Sequence, residues 1–159
     1  MSILCRHSSL HYYQGYHDVV SVFLLVLEED HLAFALAEVV SLNYLSDFMC
    51  KDFEIVAKSM QLIMVILRIA DKDVYSHLKN AGIEPFFATS WLITWFSHDV
   101  KDCNESARIF DAMLCSHPLF CIYLCASVSS ANCRARLATN NCNLIHIYCS
   151  LSSSSAMKS

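Results

Sequence analysis

An all-α fold is what this sequence predicts, on two observations. Glycine and proline number two each in 159 residues, so few turns can be built on special backbone angles. Apolar residues also recur at three- and four-residue spacing in one segment after another, and such a stripe buries one face of a helix. Long helices joined by short turns satisfy both. The length suits one domain with a core of its own.

Taken in order, residues 1–9 are short and polar and are expected to fray. Residues 15–27 are apolar almost all round after Asp18, the pattern of a helix buried on most sides. Asp18 itself falls in the first turn, where a carboxylate complements the helix dipole. Asp30 is read as the N-cap of a helix over 31–42, with Leu32, Leu36, Val39 and Val40 inward and Glu38 opposite. After a break at 43–51, Asp52 caps a long helix reaching Ala70. That helix is expected to bury Ile55, Val56, Leu62, Ile63, Ile66, Leu67 and Ala70, and to turn Lys58 and Arg68 outward.

Residues 73–80 form a short helix closed by Gly82 in a left-handed position. Pro85 then suits the first turn of a helix over 86–97, whose Phe86, Phe87, Trp91, Trp95 and Phe96 are read as core. Asp102 or Asn104 caps 105–115, with Ile109, Phe110, Met113 and Leu114 inward and Arg108 and Asp111 pairing on the surface. A further buried helix starts at Pro118. The character changes after about Ser127. Residues 127–132, 140–143 and 150–155 are polar and low in complexity around an apolar patch at 144–148, so 132–159 is expected to be poorly ordered.

Composition excludes several function classes. Net charge is −4 and the basic residues are scattered, so no face for nucleic acid is evident. Nine cysteines, an odd count with no Cys-x-x-Cys pair, argue against a disulfide framework and a zinc ribbon and for reduced, buried thiols in a cytosolic protein. Cys115, His117, Cys121 and Cys125 match no zinc-finger spacing, and His7 with His11 supplies too few ligands, so no metal is expected. No third group is in view to orient a Cys–His nucleophile pair. Residues 112–133 carry no formal charge, but His117, Pro118, Asn132 and the serines would be costly in lipid, so no transmembrane span is expected. Residues 1–10 also lack the apolar core of a cleavable signal.

The stretch 10–19 concentrates the chemistry. Tyr12, Gln14, Gly15 and Tyr16 stand just before the apolar run 19–27. A glutamine at a loop-to-helix junction can aim its amide past the helix N-terminus, where free N–H groups favour an anion. Such an amide donates and accepts, so it can hold a water in line for attack on a phosphate.

Those residues resemble a known family. Tyr12-x-Gln14-Gly15 is similar to the Tyr-x-Gln-Gly motif of TBC domains, the all-helical GTPase-activating domains for Rab GTPases. Ser90-Trp91-Leu92-Ile93-Thr94-Trp95-Phe96, and Arg108-Ile109-Phe110-Asp111 followed by Leu114, resemble later helices of the same domain in the right order. Tyr16-His17-Asp18 and His117-Pro118-Leu119 are most similar to an ER-associated branch of the family. The resemblance covers residues 8–126 as a partial domain; 127–159 is a divergent tail where a family member would continue its closing helices, as in a truncated product.

The resemblance implies two fingers offered in trans to a Rab. An arginine neutralises charge growing on the transferring phosphoryl, and a glutamine orients the water. Gln14 would be the glutamine finger. Tyr12 would shape its loop, Gly15 would allow close approach, and Tyr16 and Asp18 would face the partner. That partner is a Rab GTPase in its GTP form, which brings the nucleotide and magnesium itself, so the chain is an activator rather than an enzyme and takes no cofactor. The implied setting is cytoplasmic, peripheral to ER and Golgi membranes, in ER-to-Golgi traffic. The family's arginine lies in an upstream Ile-x-x-Asp-x-x-Arg motif that residues 1–13 do not contain, and Arg6 is not assigned its role. The expectation is therefore a weak or inactive activator. The alternative is a non-catalytic helical fragment that binds a Rab or another partner without activating it.

Overall fold

The computed structural model of the protein describes residues 2–138. Within them the regular structure is helical throughout: α1 (Ser2–Arg6), α2 (Tyr16–Leu27), α3 (Asp30–Asn43), α4 (Glu54–Ala70), α5 (Lys72–Asn80), a 3₁₀ turn (Pro85–Ala88), α6 (Thr89–Thr94), α7 (Cys103–Leu114) and α8 (Phe120–Ala138). The expected all-α class holds. α4 packs along α8 and α2 along α3, while α6 joins the two pairs by touching α2, α4 and α8. No helix among the described residues is long and apolar enough to cross a membrane.

Small side chains set the packing faces. α4 buries Val56, Met60, Ile63 and Leu67, one stripe at helical spacing, and α8 meets the core with Cys121, Ile122, Cys125, Ala126 and Cys133. α3 turns Ala33, Ala37, Val40 and Ser41 inward and leaves Leu32 and Val39 about half exposed, a correction to the expected stripe. Alanines let α2 approach closely, and dense contact along that face replaces bulk hydrophobicity. On α4, Leu62 and Ala70 are exposed, outside the stripe of Val56, Met60, Ile63 and Leu67, which corrects the expected buried set there.

Caps and ends differ in detail. α3 begins with Asp30 itself, after Glu29, and α4 follows Phe53; neither start carries a side-chain cap. Asp102 does cap α7, accepting from the amides of Asn104 at 2.7 Å and Glu105 at 3.1 Å. Gly82 closes α5 at φ +67°, as expected. The helix expected over 86–97 is divided between the 3₁₀ turn and α6, and Trp95 and Phe96 both take positive φ, 51° and 67°. Such backbone strain costs about 1–3 kcal/mol per residue. It is offset because the reversal sends both rings inward: Trp95 meets Phe110 and Tyr44 edge-on, and Phe96 stacks on Trp91.

The N-terminal segment is not frayed where it is described. α1 buries Ile3, and Leu10 joins the same core. His7 Nε2 lies 2.9 Å and Arg6 Nη1 3.3 Å from a Glu38 carboxylate oxygen on α3, and Arg6 also covers the Phe34 ring. The His7 hydrogen bond, with Arg6 adding to it, lowers the Glu38 carboxyl below its ordinary range. Thiol burial is mixed as well. Cys121, Cys125 and Cys133 are buried, whereas Cys5, Cys50, Cys103 and Cys115 are exposed, so the expectation of buried thiols is met on α8.

α8 runs straight through 127–132 and ends at Ala138, past the expected boundary at Ser127. Three of its polar residues, Ser129, Ser130 and Arg134, make hydrogen bonds within the fold. Ser129 donates to the Cys125 carbonyl at 2.6 Å, and Ser130 donates to Asp71. Arg134 adds a two-pronged contact to the same carboxylate, Nε to Oδ2 at 2.7 Å and Nη2 to Oδ1 at 2.8 Å. Asp71 is 5% exposed and would be an uncompensated charge without them. The apolar patch 144–148 and the serine tract lie outside the described residues.

Asp71 gives a pH prediction. The Arg134 and Ser130 hydrogen bonds hold its carboxyl down from 3.8 to about 2. A carboxylate depressed on folding contributes stability above its unfolded pKa and loses it as pH falls toward the folded one. Urea midpoints followed from about pH 4 to pH 2 should therefore drop more steeply for the wild type than for Asp71→Asn. Arg134→Met should lower the midpoint at neutral pH.

Candidate functional site

Residue 15 fixes the geometry of the loop. Gly15 is the residue before α2, at φ +111° and ψ −19°, a conformation L side chains rarely adopt. A Cβ added there would stand 2.8 Å from Thr94 Cγ2 of α6. The space is thus already filled by the chain itself, and Gly15 is buried. This corrects the expectation that its missing side chain admits a partner: the glycine lets α2 seat against α6.

Gln14 sits in the turn directly before that glycine and is exposed. No hydrogen bond ties its amide to the described residues. The turn beneath it is closed by the Tyr16 amide on the Tyr13 carbonyl at 3.2 Å and by the Asp18 amide on the Gly15 carbonyl at 3.0 Å. A side chain set this way points outward from a fixed backbone at a helix entrance.

The tyrosines divide by role. Tyr12 is 55% exposed, its hydroxyl 3.0 Å from His17 Nδ1. Tyr16 is turned into the core, contrary to the expectation that it faces a partner. Its hydroxyl lies 2.8 Å from Ser41 Oγ, and Ser41 donates to the Ala37 carbonyl at 2.6 Å. Ser41 has spent its proton on that carbonyl, so Tyr16 is the donor to Ser41. Tyr13, which no motif or pattern singles out, is the anchor of the loop. It donates to the Ile93 carbonyl at 2.7 Å and meets the Tyr16 ring edge-on. Burial, with the neighbouring Tyr16 and Asp18 adding, pushes its phenol far above the ordinary tyrosine range.

Asp18 is partly exposed and lies between two imidazoles, His17 Nε2 at 3.2 Å and His98 Nδ1 at 3.0 Å. The contact with His98 spans 80 residues of sequence and had no local signal. The outward surface is therefore Tyr12, Gln14, His17, Asp18 and His98. Arg6, held on Glu38 and Phe34, belongs to the α1–α3 contact. No group of three or more His, Cys, Asp or Glu that could hold a metal occurs among the described residues.

Gly15→Ala should destabilise the protein by about 1–3 kcal/mol from backbone strain alone, with the Thr94 contact adding to that. Thr94→Ser removes the methyl and should recover the contact part but not the strain part. Chemical denaturation of the two single variants and the double variant measures that coupling.

The profile of the Rab-GTPase-TBC domain family matches residues 1–134. The chain is 41% identical over 129 residues to the GTPase-activating protein gyp10 of Schizosaccharomyces pombe, an alignment covering 80% of this chain and 34% of that protein. It is 40% identical over 126 residues to TBC1 domain family member 20 of Homo sapiens, covering 79% of this chain and 31% of that one. With GTPase-activating protein GYP8 of Saccharomyces cerevisiae it shares 29% over 123 residues, covering 65% and 25%. The chain thus matches about a third or less of the length of these relatives, and it belongs to the Rab-GTPase-TBC domain family.

Proposed function

We propose that the protein acts on a GTP-bound Rab GTPase, with Gln14 as the glutamine finger that orients the attacking water. The observation that carries this reading is an exposed, unengaged amide at the entrance of α2, on a backbone that Gly15 fixes. Membership of the Rab-GTPase-TBC family supports it, as do relatives whose names describe GTPase activation. Tyr12 and Asp18 border the finger and meet the partner, while Gly15 and Tyr16 act from beneath. The Rab brings GTP and magnesium; this chain supplies positioning alone. A place in ER-to-Golgi traffic, at the cytoplasmic face of those membranes, is part of the same proposal.

An arginine finger contributes about 10³–10⁵ in rate, and Arg6 is engaged elsewhere. The 159-residue polypeptide alone is therefore expected to leave GTP hydrolysis close to the Rab's intrinsic rate. A second reading, binding to a Rab or partner without activation, is favoured by apolar exposure: Leu25 is 66% and Ile69 73% exposed, and Leu24, Val26 and Val39 are also in solvent.

Single-turnover hydrolysis across a panel of GTP-loaded Rabs, with the chain in excess, tests both, alongside pull-down of the same Rabs. Little acceleration is expected, and what there is should vanish in Gln14→Ala. Strong acceleration that survives Gln14→Ala would overturn the role given to Gln14. Capture of a GTP-loaded Rab with hydrolysis unchanged by either form would favour the second reading.

A further inference from the structure

We propose that His98 and Asp18 are positioning residues for Gln14: a carboxylate bridge that ties the entrance of α2 to the segment following α6. Four side chains line up beside the exposed amide: Tyr12 hydrogen-bonds His17, Asp18 hydrogen-bonds His98, and His17 Nε2 lies 3.2 Å from Asp18 Oδ1 as an ion-pair contact. Three of them come from the loop and first turn that carry Gln14, and the fourth comes from 80 residues away. The bridge uses both carboxylate oxygens, Oδ1 toward His17 and Oδ2 toward His98.

Chemistry fixes the proton position on His98. An ionised carboxylate only accepts, so the His98 nitrogen bonded to it carries a hydrogen. Neutral His98 is therefore the Nδ1–H form. The Tyr12 hydroxyl lies 3.0 Å from His17 Nδ1 on the other side of the carboxylate.

Its mechanical effect is local. Gly15 and Tyr13 already hold the floor of the loop on α6. The bridge holds its rim, where Tyr12 and the first turn of α2 would otherwise be free to lean away from residue 98. Both imidazoles are more than half exposed, so the contact adds little to global stability and acts on the pose of the loop. The importance of this pose to hydrolysis rests on Gln14 being the finger; the bridge itself does not.

The test uses the 159-residue chain and needs no GTPase. Long-range proton–nitrogen spectra, taken at a pH where they show the ring to be neutral, should place the His98 hydrogen on Nδ1. His98→Ala should speed exchange of the Tyr16 and Asp18 amides about two- to fivefold, the factor an exposed charge-assisted contact commands. The amides of Met60 and Ile63 on α4 should not change. In His98→Asn the amide nitrogen stands close to where Nδ1 was, so it should restore slow exchange. A His98 found as Nε2–H, exchange unchanged in His98→Ala, or His98→Asn behaving like His98→Ala would each overturn the bridge. A failure of Gln14 in the hydrolysis assay would leave these spectra as they are, so the two ideas fall separately.

Discussion

Thr94 Cγ2 occupies the place where a side chain on residue 15 would begin, and the rest of the site depends on that contact. The close approach requires glycine twice over, for space and for φ +111°. It brings the first turn of α2 against α6, and α6 in turn lies on the α4–α8 pair. The exposed loop is thereby coupled to the deepest part of the core, where Met60, Ile63 and Cys125 have essentially no solvent contact. Sub-ångström demands of this kind are met only when the supporting residues are themselves immobile.

The strain at Trp95 and Phe96 belongs to the same requirement. Two successive residues in the left-handed region end α6 after six residues and reverse the chain at once. Without that reversal, α6 would continue and carry residue 98 away from the entrance of α2. The aromatic cluster of Trp91, Trp95, Phe96 and Phe110 offsets the cost, because each ring has another to meet. Aromatic richness that reads as plain core in the sequence is therefore also what shapes the exposed site. Core and site are one structure here.

The sequence made the helices legible because their stripes follow the helical period, and it marked the turn at Gln14 and Gly15 because a rare glycine stands next to a helix start. Faces were harder. Counting apolar residues placed Leu32 and Val39 of α3 inside, but packing distance favoured Ala33 and Ala37, and size is not visible to a hydropathy pattern. The serines of α8 suggested a loose tail because the partner of Ser130, Asp71, lies 59 residues away in sequence. The role of Gly15 was misread for the same reason. Glycine announces that something comes close, but Thr94, not a partner, is what comes close. Tyr13 and His98 carried no local signal, since each earns its place through a contact about 80 residues away.

Three anchors of the loop land on one short stretch of chain. Tyr13 reaches the carbonyl of Ile93, Gly15 lies on Thr94, and Asp18 meets His98. Successive anchors on one rigid segment remove hinge freedom that separate anchors on separate elements would leave. An amide asked to hold a water for in-line attack gains rate chiefly from being in place beforehand, because positioning is most of what phosphoryl transfer requires of a protein. In the role proposed for it, Gln14 needs no hydrogen bond of its own in the free protein. Its backbone is fixed on both sides, and its exposed amide is unengaged there.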